Sequence, residues 1–184
     1  MAAHLELGRH YLERDDRTRA LPHLRKAVEL NPSSAEAAFS LGKTLAVQGD
    51  YKGAIPYLAQ AVKASPDSGR YELELARAYY HTGNSLGALN SIRRAVTLLP
   101  GDAEALYWAG LLHFESRHFD SARQYFKSAA ALNRKCPLCH EYLGDISIMR
   151  KEHGTAAAEY RRASRLNPSN SRTLYKMGRA YYEA

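Results

Sequence analysis

The chain has 184 residues, 45% of them hydrophobic and 24% charged, which places it among folded globular proteins and outside the disordered class. No apolar run reaches the ~18 residues that cross a bilayer, and the opening MAAHLELGRHYLERDD is charged throughout, so neither membrane insertion nor a secretory leader is predicted and the cytoplasm is the default compartment. A net charge of +7 favours acidic partners without singling out nucleic acid, and two cysteines are too few for a disulfide framework.

The predicted elements recur every 34 residues from Met1, with no insertion or deletion. In residues 1–34, Asp15-Asp16 break a first helix and cap a second, which Pro32 stops. In 35–68 the break is Gly49-Asp50 and the stop is Pro66; in 69–102 they are Gly83-Asn84 and Pro100. Residues 103–136 lack the stop (Arg134 stands there) and the proline arrives three residues later as Pro137. Residues 137–170 close on Pro168, and 171–184 supply only a first helix. Pro22 and Pro56 are expected early in the second helix, where a missing N–H is cheapest.

The columns of this register follow helical spacing. Position 8 is Gly8, Gly42, Ala76, Gly110, Gly144 and Gly178; position 20 is Ala20, Ala54, Ala88, Ala122 and Ala156; position 27 is Ala27, Ala61, Ala95, Ala129 and Ala163. Small residues there allow two helices to approach, and Leu24, Leu58, Ile92, Phe126 and Tyr160 at position 24 fill the remaining space. The whole chain thus resembles the tetratricopeptide repeat (TPR) family, as five full repeats and the first helix of a sixth. The resemblance implies an all-α fold, a right-handed α-solenoid of stacked antiparallel helix pairs, forming a single array over 1–184. The family often has Trp at position 4, where this chain has His4, Ala38, Glu72, Leu106, His140 and Leu174.

Both cysteines lie in Cys136-Pro137-Leu138-Cys139-His140, a C-x-x-C-H pattern. The register puts it across an inter-repeat turn and a helix start. A repeat junction has no room for covalent haem, and a zinc site would need about four ligands. Two readings stay open: a possible redox pair, because thiols at a helix N-terminus have a lowered pKa, or simply two small residues at a turn. Gly83-Asn84-Ser85-Leu86-Gly87 fits G-x-S-x-G but follows a helix, where the hydrolase elbow needs a strand. His113-Phe114-Glu115 ahead of the cysteines lacks the proline and strands of a zinc deaminase. No enzymatic activity and no cofactor are predicted.

The resemblance implies that positions 2, 5, 9, 12 and 13 of the first helices face a concave groove. This nominates Arg9, Lys43 and Arg77 as a ladder of cations, with Phe39, Arg70, Tyr80 and His81 beside them and Tyr107, Leu111 and Phe114 as an apolar pocket. Such a surface suits a protein or peptide with acidic and apolar groups. A clamp for a C-terminal carboxylate is not expected, because neither Leu5, Arg9, Ser40, Arg70, Glu74 nor Phe39, Lys43, Glu74, Glu104, Trp108 supplies the family's Lys-Asn-Asn-Lys-Arg set. Nucleic acid is a weaker alternative, since Glu36, Glu74, Glu104 and Glu115 interrupt the groove. The ending GRAYYEA leaves Tyr175, Tyr181 and Tyr182 without a covering neighbour, so either a continuing chain or self-association through this end is expected.

Overall fold

The structure, a computed structural model, describes residues 2–184, all of whose regular structure is helical. The first helices of the repeats are α1 (Ala2–Glu13), α3 (Ala35–Val47), α5 (Gly69–His81), α7 (Ala103–Glu115), α9 (Pro137–Met149) and α11 (Ser171–Tyr182). The second helices are α2 (Arg17–Leu30), α4 (Tyr51–Ala64), α6 (Ser85–Leu98), α8 (Phe119–Leu132) and α10 (His153–Leu166). Each second helix starts at repeat position 17 and ends at position 30, including α8, which has no proline to stop it. The chain divides into two compact units, Met1–Leu99 and Pro100–Ala184. Within each, every helix packs on the next in sequence.

Local chemistry sets these boundaries. The residue at position 15 has a left-handed backbone in every full repeat: φ is 58° at Asp15, 87° at Gly49, 76° at Gly83, 61° at Arg117 and 60° at Lys151. Position 16 then caps the second helix. Asp16 accepts from the Arg19 N–H, Asp50 from Gly53 and Asn84 from Gly87, while His118 and Glu152 form no side-chain cap bond. Arg117 and Lys151 therefore hold a conformation that glycine adopts without a Cβ clash. Arg117→Gly and Lys151→Gly are each expected to raise stability by about 0.5–1 kcal/mol, read as a higher urea midpoint at constant m-value. A fall in either midpoint would refute this account of the turn.

Pro22 and Pro56 differ from expectation. Each is the sixth residue of its helix, past the first turn, so each removes an intrahelical hydrogen bond rather than an already orphaned N–H.

The close approach of paired helices is visible at position 8. A Cβ built on Gly8 would lie 2.6 Å from Leu24, on Gly42 2.8 Å from Leu58, on Gly110 2.8 Å from Phe126 and on Gly144 2.5 Å from Tyr160. The core of the first unit joins Leu24, Leu41 and Leu58 with Ala20, Ala27, Ala54 and Ala61, all without exposed surface. Burying one such leucine is worth about 1.5–3 kcal/mol. In the second unit Phe126, Tyr160 and Ile146 are buried in the same way.

Candidate functional site

In the first unit, side chains from α1, α3, α5 and the start of α2 surround an open pocket of ≈ 640 Å³. Its apolar wall is Leu12, Phe39, Val47 and Tyr71. Phe39 is wedged against Tyr71, with ring centroids 4.4 Å apart. The Arg70 guanidinium lies 5.6 Å from the Phe39 centroid and the Lys43 ammonium 5.8 Å, so two cations lie over one aromatic ring. Arg9, Arg17, Lys43 and Arg70 are the cations of the lining, against the carboxylates Asp15 and Glu36. Arg9 pairs with Glu36 and Arg17 with Asp15. Glu74, whose side chain is nearly buried, takes Lys43 at 3.5 Å and Arg77 at 3.2 Å.

Carboxylates neighbouring Arg9, Lys43 and Arg77 offset part of their charge. Arg9, Phe39, Lys43 and Arg70 share the pocket, and Arg77 joins them through Glu74. Tyr80 and His81 are not among the residues that line the pocket. His81 stacks on Tyr51 at 4.1 Å beside the α3–α4 turn, and Tyr80 meets its edge at 5.2 Å. Burial, and next to it the charge of Arg77, lower the His81 pKa, so its imidazole is neutral at pH 7.

The remaining predicted residues lie in the second unit. Leu111 is buried in the packing. Tyr107 and Phe114 surround Tyr142, with centroids 6.4 and 5.1 Å away, and Tyr142 stacks on Phe126 at 4.9 Å. Burial, with the nearby Tyr142 and Glu141, pushes the Tyr107 phenol up to about 12, so it stays a neutral donor. Of the three, Phe114 also lines a smaller, apolar pocket of ≈ 230 Å³ with Ile148, Met149 and Tyr175.

Asp145, Tyr160 and Lys176 also line that pocket and belong to a polar cluster that the groove columns do not single out. Lys176 Nζ lies 3.1 Å from Glu141 and 2.8 Å from both oxygens of Asp145. Tyr160 donates to Asp145 at 2.7 Å and Thr173 to Glu141 at 3.1 Å. Burial and the hydrogen bond to Asp145 raise the Tyr160 pKa well above the usual range. Lys43–Glu74 and Asp145–Lys176 occupy the same station, position 9 of one repeat and position 6 of the next, with the signs exchanged. The signal was present in the sequence as a spacing of 31 residues between opposite charges.

The helix pairs and their glycine contacts define a helical-repeat solenoid protein. The tetratricopeptide repeat profile matches residues 5–69, 73–137 and 109–171, and the chain belongs to that family. No curated protein sequence matches it. Among solved structures it is similar to MamA (19% identity, TM-score 0.82, 90% of this chain and 97% of that one covered). It is also similar to YrrB, described as a TPR protein with an unusual peptide-binding site (22%, 0.82, 94% and 89%). A third is PilF of Pseudomonas aeruginosa (24%, 0.84, 99% and 84%). At these identities the likeness shows the fold. The family is in general a non-catalytic scaffold for protein–protein interaction.

Proposed function

We propose that this chain is a non-catalytic interaction scaffold whose first unit holds a peptide segment bearing acidic and apolar side chains against α1, α3 and α5. The observation that carries the reading is the pocket in which four cations outnumber two carboxylates beside Phe39 and Tyr71. Arg9 and Arg70 can fork onto a ligand carboxylate, while an apolar side chain packs on Leu12 and Val47. Peptide binding by the similar fold of YrrB supports the same class of ligand. The repeat register runs through residues 99 and 100 without interruption, which supports a single array.

Selection of displayed peptides on the 184-residue chain is expected to enrich Asp or Glu beside Phe, Leu or Tyr. An Arg9→Gln/Arg70→Gln variant with unchanged helicity is expected to bind the selected peptides about tenfold more weakly, a loss of about 1.4 kcal/mol. Enrichment of basic peptides, or equal affinity in the variant, would overturn the assignment. A second reading, self-association through α11, is supported by the exposure of Leu174, Tyr175, Tyr181 and Tyr182 near the apolar pocket. Sedimentation showing monomer at every concentration would exclude it.

A further inference from the structure

The internal repeats provide controls for the two cysteines. Cys136 is at position 34, the N-cap of the first helix that follows, where the other repeats have Ser34, Ser68, Asp102 and Asn170. Its sulfur accepts the Cys139 N–H at 3.2 Å, the bond that the Ser34, Asp102 and Asn170 oxygens accept from Ala37, Ala105 and Thr173. Cys139 is at position 3 of its repeat and fully buried, in a column shared with the equally buried Ala37, Ala105 and Thr173. Capping and packing at this junction are thus met elsewhere in the chain without sulfur. Here the two sulfurs are joined as a disulfide. Cys136 is partly exposed, Cys139 is not, and the exposed Arg134 and Lys135 precede the pair.

We propose that Cys136–Cys139 is a thiol–disulfide exchange site at which Cys136 is the accessible sulfur and small anionic thiols or acidic peptide thiols are the co-reactants. A thiolate RS⁻ attacks Cys136 Sγ, forming Cys136–S–S–R as the Cys136–Cys139 bond breaks. The electron pair leaves on Cys139 Sγ, which takes a proton from water. A second RS⁻ attacks the R sulfur, releasing RSSR and the Cys136 thiolate. Two RSH are oxidised and one protein disulfide is reduced. The thiolate left on Cys136 is stabilised by the Cys139 N–H and the helix N-terminus, with Arg134 and Lys135 next to it in sequence, the setting that makes a thiol a good leaving group and a reactive nucleophile. The reverse sequence re-forms the disulfide, with Cys139 as the resolving thiol.

Glutathione is the probe. Folded wild-type protein, equilibrated in buffers of graded reduced-to-oxidised ratio and acid-quenched for mass mapping, is expected to pass between disulfide and dithiol with unchanged helicity. The trapped mixed disulfide is expected on Cys136. Cys139→Ala should take up one glutathione on Cys136 at least about tenfold faster than Cys136→Ser takes it up on the buried Cys139. The pair Cys136→Ser/Cys139→Ala copies Ser34 and Ala37 at the junction of the first and second repeats, so its folding reports any purely structural need for the disulfide. Reduction only on unfolding, a pair that stays reduced in every buffer, or adducts formed equally on both cysteines would overturn the proposal. If Cys139→Ala does not fold, the wild-type mapping decides alone.

Discussion

Replacing Phe126 with alanine is expected to lower stability by about 3–5 kcal/mol, the largest loss from any single truncation in the second unit. Phe126 has no exposed surface, and its ring is held on three sides. Gly110 brings α7 against it, so closely that a Cβ there would sit 2.8 Å away. Tyr142 of α9 stacks on its face with only 3° between ring planes, and Tyr107 contacts it with centroids 6.0 Å apart. The neighbours cannot collapse into the space, because glycine has no side chain to move and Tyr142 is also packed by Phe114. Both the transfer loss and most of the cavity loss therefore remain. Urea unfolding followed by circular dichroism is the measurement, and a change below about 1 kcal/mol would mean that Phe126 is not the keystone of α7, α8 and α9. Gly110→Ala, which pushes on the same ring from the other side, is expected to cost about 1–3 kcal/mol.

Lys176→Met should cost roughly 2–3 kcal/mol and loosen α11 from α9. Removing one member of a buried ion pair costs about 3–5 kcal/mol, because the partner stays buried and uncompensated. Here one ammonium serves two carboxylates, Glu141 and Asp145, so its loss leaves two negative charges facing each other. The loss is smaller than for a fully buried pair because Lys176 and Asp145 side chains each keep 20% of their exposure. Adding Asp145→Asn is expected to restore about half of the stability, since a neutral amide oxygen still accepts from the Tyr160 hydroxyl and the repulsion is gone. Amide exchange in α11 distinguishes this from global destabilisation: protection should fall there first. Equal stability of Lys176→Met and the wild type would show that the cluster is only a solvated ion pair.

Much of the fold can be read from the sequence because each repeat is specified by interactions local to it. Position 15 turns, position 16 caps in the first three repeats and small residues at positions 8, 20 and 27 mark helix contacts, all within one 34-residue period. Where one such interaction is missing, the others suffice: α8 ends at Leu132 without a proline. The proline columns were less informative, since a proline at position 22 looks the same in sequence whether it precedes or interrupts the hydrogen-bond ladder.

The candidate site was legible only as a set of columns. Arg9, Phe39, Lys43 and Arg70 line one pocket, whereas His81 stacks on Tyr51.

Sequence by itself determined the period, the helices and the family, because those follow from spacing along one chain. Tertiary structure alone decided that Glu74 serves both Lys43 and Arg77, that Lys176 joins Glu141 to Asp145, and that Cys136 is partly exposed while Cys139 is sealed. Charge neutralisation and burial depend on which side chains meet across neighbouring repeats, and that distance is set by packing.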